Sequence, residues 1–265
     1  MIGNGFFLWD IRNAHNTEKW ISKHKNIVKN WFDTVAFFDT QNSFANVVFN
    51  HPKFVFPKLN TDNFSIQGSQ LGHPLLKESK RIDNDFNISK EDFFIVTGAN
   101  MAGKSTFLRT VSLGIVMANC GLPVCATAFN YSPIKLITSM RTSDNLSEDE
   151  SYFYSELKRL KFIVDEIKTE RYFIILDEIL KGTNSKDKAI GSKKFVEKLT
   201  QSKSTGIIAT HDVSLCELSN EYSQVKNYYF DALIENNELS FDYQIKQGIC
   251  KNMNASFLLK QMDII

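Results

Sequence analysis

The sequence is poor in the features that mark secreted and membrane proteins. Its 265 residues include only four cysteines, none in C-x-x-C spacing: Cys120, Cys125, Cys216 and Cys250. We therefore predict reduced thiols rather than a disulfide framework or a metal site. The first residues lack a basic stretch, and no apolar run reaches about 18 residues. The chain is thus predicted to contain neither a signal peptide nor a membrane span, and to be cytoplasmic.

An excess of charge of either sign is also missing. The 31 basic and 30 acidic side chains leave a net charge of +1. No global basic field favours nucleic acid, so any such contact has to come from a local patch or from regions outside this chain. The hydrophobic share of 43% is enough for a buried core in one large or two small domains.

The spacing of apolar residues divides the chain into two parts. From about residue 17 to residue 49 they recur every three or four positions, which predicts an amphipathic helix or helix pair that ends at His51-Pro52. Beyond it, apolar runs alternate with helix-like stretches. The apolar runs are 93–96, 172–176 and 205–209, and the helix-like stretches are 104–120, 152–168 and 186–201. This alternation predicts an α/β fold with a largely parallel, buried sheet flanked by helices.

Two further elements are predicted near the C-terminus. Residues 228–234 and 238–243 flank a turn-forming Glu-Asn-Asn triplet, which indicates a β-hairpin. A helix-like segment follows at about 254–262. We place the domain boundary near residue 60, with a helical segment at 1–60 and the α/β domain at 61–265.

A glycine-containing segment after the first apolar run matches the phosphate-loop pattern G-x-x-x-x-G-K-[ST]. It consists of Gly98, Ala99, Asn100, Met101, Ala102, Gly103, Lys104, Ser105 and Thr106. The glycines let the backbone form a nest of N–H donors at a helix N-terminus, where phosphate is favoured. Lys104 is predicted to reach the β- and γ-phosphates and Ser105 to ligate Mg²⁺. The segment therefore predicts binding of a nucleoside triphosphate.

Two carboxylates, Asp177 and Glu178, directly follow the second apolar run at 172–176. Taken alone, such a pair is more often a strand leaving the core for solvent. Together with the phosphate loop it is typical of a Walker B strand. Asp177 is then predicted to hold Mg²⁺ through water, and Glu178 to polarise the water that attacks the γ-phosphate.

Two polar positions near other element ends complete the candidate site. His211 follows the third apolar run, at the carboxyl edge of the sheet, where it can contact the γ-phosphate or the attacking water. Ser151 precedes a helix-like stretch. Ser151 has two interpretations, a helix cap or a contact to nucleotide, and capping is the simpler.

The order of these motifs resembles the ATPase domain of the MutS family of DNA mismatch-repair proteins, a branch of the ABC ATPases. The phosphate loop resembles that family's T-G-P-N-M-G-G-K-S-T, with Ala99 and Ala102 as departures and Asn100-Met101 as the diagnostic pair. The segment 177–187 is similar to D-E-I-G-R-G-T-S-T-x-D, the Walker B strand followed by a loop at the dimer interface. Thr210-His211 and Gly72-His73-Pro74 look like its A-T-H and R-H-P motifs.

The resemblance covers about residues 64–265, and more faintly the helical segment before them, which looks like the end of the family's lever helices. It implies a P-loop NTPase fold of the ABC type and a Mg²⁺-dependent ATPase that releases ADP and phosphate. Two such domains would form a homodimer that sandwiches ATP, each supplying Ser151 in trans to its partner's nucleotide. ATP binding and hydrolysis would then switch the conformation of a protein that contacts DNA through regions absent here, without membrane contact.

One segment departs from the family pattern. Where the family has G-R-S-T-F-M-V-E-M, this chain has Asp149-Glu150 before Ser151, followed by the retained Phe153 and Glu156. The acidic pair brings negative charge toward a triphosphate and would weaken a composite site.

Two other functional classes compete with this interpretation. A transport or SMC-like ABC ATPase is disfavoured because the sequence lacks an L-S-G-G-Q signature and leaves little room between Lys104 and Asp177 for a helical subdomain. A nucleotide-dependent scaffold that hydrolyses little is disfavoured by the set Asp177, Glu178 and His211.

Overall fold

A computed structural model of the chain describes residues 6–61, 64–140, 152–235 and 238–250. Its contacts divide the chain into two compact units, Met1–Pro52 and Lys53–Ile265. The assignment of 1–60 to a lever-like segment and of 61–265 to an ATPase domain stays a prediction.

In the described part of the first unit lie the helices α1 (Trp9–His24) and α2 (Val28–Asn50). The predicted helix pair is therefore confirmed, although it begins earlier than residue 17, and α2 ends directly before His51-Pro52. Between the helices, the ring of His24 packs 5.2 Å from Trp20 and 5.3 Å from Trp31, measured between ring centroids. Neither helix has a buried residue among those described, so the apolar face that the periodicity predicts is exposed to solvent.

The second unit is built on a six-stranded sheet in the order β12-β9-β4-β8-β7-β6. The strands are β4 (Phe93–Gly98), β6 (Lys135–Ser139), β7 (Tyr172–Asp177), β8 (Thr205–Ala209), β9 (Val225–Phe230) and β12 (Ile245–Gln247). All neighbours are parallel except β12, which runs antiparallel to β9. The predicted α/β architecture with a largely parallel sheet is confirmed.

The central strands read as continuous apolar runs because both faces of the sheet are covered. Alternate residues enter two separate hydrophobic clusters: Phe94 and Val96 point to one, Phe93 and Ile95 to the other. Helix α3 (Lys104–Asn119) packs in the first cluster. Helices α4 (Tyr152–Glu166) and α5 (Ser185–Gln201) pack in the second, with a 3₁₀ helix (Val213–Glu217) and the short α6 (Leu218–Glu221). Both faces of the sheet are thus covered by packed side chains.

A second sheet joins the first cluster, and the sequence did not predict it. It has the order β1-β5-β2-β3 and comprises β1 (Lys58–Leu59), β2 (Ser65–Leu71), β3 (Asn84–Ser89) and β5 (Ala128–Tyr131). Its side chains alternate between buried and exposed along β3, so only every second residue is apolar or buried.

The C-terminal hairpin prediction is only partly right. A hairpin does form, between β10 (Leu233–Glu235) and β11 (Glu238–Ser240). Residues 225–230 instead form β9, which pairs with β4 over its whole length, so residues 228–230 belong to the large sheet and not to the hairpin. The predicted helix at 254–262 lies outside the described residues.

Candidate nucleotide-binding site

The loop between β4 and α3 has an unusual backbone. Gly98, Met101 and Gly103 have positive φ angles of 141°, 65° and 108°. A Cβ at Gly98 would collide with the backbone oxygen of Phe230, so only glycine fits there. Such a succession of left-handed and right-handed residues is how a backbone forms a concave nest of N–H groups. The chain therefore curls tightly before the first turn of α3.

Lys104 closes this loop from inside. It is the first residue of α3 and only 6% exposed, and its Nζ donates to the backbone oxygens of Gly98 at 2.7 Å and Ala99 at 2.8 Å. Ala99 and Ala102 are buried, Asn100, Met101 and Thr106 are exposed, and Ser105 is half-buried. The first helical N–H of α3 to find an intrahelical acceptor is that of Phe107, bonded to Gly103, and the N–H groups before it lie at the positive end of the helix dipole.

The strand register brings the Walker B candidates to the same edge. Ala209 of β8 is opposite Val96 on one side and opposite Asp177 on the other. Asp177 is buried at the carboxyl end of β7, at the level where β4 leads into the loop. Three strands thus deliver the loop, Asp177 and the segment after β8 to one face of the molecule.

The residues at this edge fit a magnesium ion that also binds phosphate. The hydroxyl of Ser105 and the carboxylate of Asp177 are oxygen donors of the kind Mg²⁺ prefers. Within the residues that the structure describes, no group of three or more His, Cys, Asp or Glu side chains is placed to hold a metal. Mg²⁺ at this edge would therefore take its remaining ligands from substrate phosphates and water, as it does in nucleotide enzymes.

Glu178 lies between two basic side chains. Its Oε1 is 2.6 Å from Nε2 of His211, and its Oε2 is 2.7 Å from Nζ of Lys181. The hydrogen bond from His211 is the main reason that the pKa of Glu178 lies well below its ordinary value, and Lys181 lowers it further. The predicted pair Glu178 and His211 is thus brought into direct contact, while the sequence interpretation gave Lys181 no part in it.

The turn that carries Glu178 is strained and held from outside. Glu178 and Leu180 have positive φ angles of 49° and 59°, a region that residues with a side chain rarely adopt. The carboxylate of Glu156 on α4 contacts this turn, accepting from the backbone N–H of Leu180 at 2.6 Å and of Lys181 at 3.1 Å. The resemblance retained Glu156 without assigning it a role. Ser151, the trans candidate, lies outside the described residues.

A cavity of about 210 Å³ opens beside the phosphate loop. Its walls are apolar and aromatic with a few polar groups, and include His73, Leu76, Asn84, Thr106, Phe230 and Tyr243. Burial, and then the charge of Arg109, lower the pKa of His73, which favours a neutral ring. A larger cavity of about 390 Å³ lies at the other end of the strands, beside Tyr172 and Thr205, away from this edge.

Tyr243 belongs to the site although sequence reasoning missed it. A Cβ at Gly103 would lie 3.2 Å from the Tyr243 ring, so the ring sits against the loop. Asn84 holds the segment in place by donating from Nδ2 to the Tyr243 backbone oxygen at 3.0 Å and accepting from the Ile245 N–H at 2.8 Å. No motif surrounds Tyr243, so only the tertiary structure reveals it.

Comparisons with known proteins find one matching family. Residues 94–260 match the family described as MutS domain V. The chain is 32% identical over 234 residues to "DNA mismatch repair protein MSH4" of Arabidopsis thaliana, which covers 83% of this chain and 28% of the relative. It is 32% identical over 238 residues to "DNA mismatch repair protein MutS" of Finegoldia magna, covering 87% and 28%. Against the human "MutS protein homolog 4" the identity is 29% over 245 residues, covering 88% and 26%.

The chain therefore spans between a quarter and a third of the length of these relatives. Among the described residues, no helix has the length and apolar character needed to cross a membrane.

Proposed function

Because this chain belongs to the MutS family, we propose that its α/β unit is a P-loop ATPase of the ABC type that binds MgATP and hydrolyses it to ADP and phosphate. The observation that carries the proposal is the row Val96–Ala209–Asp177 across three parallel strands, which sets the loop, Asp177 and Glu178 at one edge. Parallel α/β sheets bind ligands beyond the carboxyl ends of their strands.

The residues have separable roles in this proposal. The loop 98–106 cradles the phosphates with its N–H groups, and Lys104 exchanges its carbonyl contacts for phosphate oxygens. The adenine base of ATP occupies the cavity beside the loop, against Tyr243 and Phe230. Ser105 and Asp177 would hold Mg²⁺, which neutralises charge on the phosphates when bound.

Glu178 orients and polarises the attacking water, and His211 orients Glu178 and faces the γ-phosphate. Phosphoryl transfer depends mostly on positioning and charge neutralisation, which are the roles that these groups would have.

At the level of the whole protein, we propose that ATP binding switches the conformation of a MutS-like protein that acts on DNA in mismatch repair or on another DNA structure. Two chains would form a homodimer around composite ATP sites, with Ser151 facing the partner's nucleotide. DNA would be contacted through regions outside this chain, since the net charge here is only +1. ATP shifts such an equilibrium only as far as its affinities for the two arrangements differ.

One observation favours a second candidate function. Both oxygens of Glu178 are engaged, by His211 and by Lys181, and the low pKa makes this carboxylate a weak base. A chain in this arrangement would bind ATP and turn it over slowly, as a nucleotide-dependent scaffold does.

Two substitutions test the proposal on the full chain. Lys104→Ala should weaken MgATP binding by about 2 kcal/mol, roughly thirtyfold, because a charge-assisted contact to phosphate is lost. Lys135→Ala is the matched control, since Lys135 pairs with Glu170 on the surface. Calorimetric titration measures both affinities. Unchanged affinity in folded Lys104→Ala would refute nucleotide binding at the loop.

Glu178→Gln separates the two candidate functions. It should bind ATP normally and lose roughly 10²- to 10⁴-fold in turnover if Glu178 acts on water. Glu170→Gln, an exposed carboxylate elsewhere, should hydrolyse at the wild-type rate. A wild-type chain that binds ATP but hydrolyses it no faster than Glu178→Gln would favour the scaffold.

A further inference from the structure

Helix α4 contacts the turn after β7 at two places. The carboxylate of Glu156 receives two backbone N–H groups, those of Leu180 and Lys181. One helical turn earlier, Phe153 packs so closely on Gly182 that a Cβ at Gly182 would lie 2.6 Å from the Phe153 Cβ. The first turns of α4 and the segment 180–182 are therefore closely fitted together.

Two residues of this turn have an unfavourable backbone conformation. Leu180 has a φ of 59°, at a position where the pattern it resembles has glycine, and Glu178 has a φ of 49°. Residues in such conformations persist only where the surroundings over-determine them. On the strand side, the N–H of Glu178 is bonded to Ala209 at 2.9 Å. On the other side, the backbone N–H groups of Leu180 and Lys181 donate to Glu156. Hydrogen bonds to a carboxylate are stronger than those between neutral groups.

We propose that Glu156 is a positioning residue for Glu178: by clamping the N–H groups of Leu180 and Lys181, it fixes the left-handed turn that aims the Glu178 carboxylate. The inference rests on the proposed function of Glu178 in hydrolysis. Glu156 touches neither His211 nor the phosphate loop in the contacts described, so its effect passes through the turn. The same hydrogen bonds position the backbone of Lys181, and hence the point at which its amine meets the Glu178 carboxylate.

The prediction that follows is a loss of rate without a comparable loss of ATP binding. The first test compares Glu156→Ala with wild type in the full chain, by calorimetry for ATP affinity and by single-turnover hydrolysis for the rate. We expect the rate to fall at least about tenfold, because a displaced catalytic group costs that much or more. ATP affinity should stay within about threefold, since the substrate contacts are unchanged.

Asp165→Ala is the matched control. Asp165 lies on the same helix, and its carboxylate pairs with Lys161 and Lys168 on the surface. It should keep both the affinity and the rate. Glu156→Gln is nearly isosteric and keeps one acceptor oxygen, so it tests the same point in a chain whose packing is preserved. Its rate should lie between those of wild type and Glu156→Ala.

Two further readouts separate positioning from general stabilisation. Amide hydrogen exchange at Leu180 and Lys181 should accelerate in Glu156→Ala and not in Asp165→Ala. Adding Leu180→Gly to Glu156→Ala should restore part of the rate, since glycine takes a positive φ freely and the turn then depends less on the clamp.

The outcomes distinguish this inference from the function on which it rests. A selective loss of rate with partial recovery in the double variant supports the positioning role. Wild-type rates in both Glu156 variants, or a parallel loss of affinity and rate without recovery, overturn it. In either of those cases Glu178→Gln still tests hydrolysis by itself, and only full turnover in Glu178→Gln would overturn the proposed role of Glu178.

Discussion

Oε1 of Glu178 lies 2.6 Å from Nε2 of His211, so two residues that follow neighbouring strands share a hydrogen bond. The contact exists because Asp177 and Ala209 are opposite each other in the β7–β8 register, which leaves the next residues at the same level. Together with Lys181, His211 keeps the pKa of Glu178 below its ordinary value of 4.5. A carboxylate stabilised in this way links the charge state of the site to the stability of the fold.

The first prediction concerns this linkage. Because the folded-state pKa of Glu178 is depressed, its ionised form adds stability that is fully present above the unfolded value of 4.5 and is lost as the pH falls toward the folded value. Glu178→Gln cannot gain this contribution. The difference in unfolding free energy between wild type and Glu178→Gln should therefore shrink as the pH falls below about 5. Urea unfolding across this range measures it.

Lys181→Met provides the contrast for that experiment. Removing the lysine removes one cause of the depressed pKa of Glu178, so in this background the difference should shrink by less and reach its lower limit at a higher pH than in wild type, while the onset near the unfolded value is unchanged. A difference that stays constant below about pH 5 would mean that His211 and Lys181 do not stabilise the Glu178 carboxylate in solution.

The second prediction is that Gly98 is required for the fold as well as for the loop. Gly98→Ala places a Cβ against the backbone oxygen of Phe230 at a φ of 141° and should lower the unfolding free energy by about 3 kcal/mol or more. Gly121 also has a positive φ, 74°, but a Cβ there would meet nothing within 4 Å. Gly121→Ala should therefore cost only the conformational term, about 1 kcal/mol. Equal losses of unfolding free energy in the two variants would show that β9 moves away from a Cβ at residue 98 at little energetic cost.

A third prediction is that association of two chains depends on ATP. In Glu178→Gln, which should keep its ATP, light scattering should show a larger mass with MgATP than without it, because the nucleotide completes the composite sites. Lys104→Ala is the control and should show no such increase. Exposed apolar side chains such as Trp31 and Phe32, 44% and 71% exposed, can cause association that does not depend on ATP. Lys104→Ala has the same side chains and therefore controls for it. An equal mass of Glu178→Gln in both conditions would contradict the ATP-dependent dimer.

The fourth prediction is that this chain binds duplex DNA feebly. With a net charge of +1 it has few clustered cations to neutralise phosphates. The dissociation constant should lie in or above the non-specific range of roughly 10⁻⁴ to 10⁻⁶ M at physiological salt, without preference for mismatches. Fluorescence anisotropy with matched and mismatched duplexes at two salt concentrations measures it. Tight and mismatch-selective binding would reveal a DNA-reading surface within these residues.

The sequence predicts the parts of this structure that are buried on both faces. Strands β4, β7 and β8 read as unbroken apolar runs because helices or a second sheet cover each side, and the polar residues after them mark the open edge. Parallel topology then forces those ends together. This is why the phosphate loop, Asp177, Glu178 and His211 could be predicted to lie near one another without knowledge of their distances.

Other parts depend on contacts that no local pattern encodes. Strand β3 reads Asn-Asp-Phe-Asn-Ile-Ser, with only two apolar residues, and is a strand because it pairs with β2. Tyr243 lies against the loop, and Asn84 of β3, 159 residues earlier, donates a hydrogen bond to its backbone oxygen. The clamp of Glu156 joins residues 24 and 25 positions apart through two backbone N–H groups, which depend on the turn and not on side-chain type.

The pairing of β4 with β9 also dictates when the phosphate loop can take shape during synthesis. The hydroxyl of Thr97 bonds to Tyr228, 131 residues later, and Gly98 lies against Phe230. A growing chain on the ribosome therefore carries the loop sequence long before its supporting strand exists. Until that strand has emerged, β4 has an unpaired apolar edge, a state that is prone to misassembly and needs shielding. Nucleotide would help only at the end, by trapping a loop that the last strand of the parallel sheet has just completed.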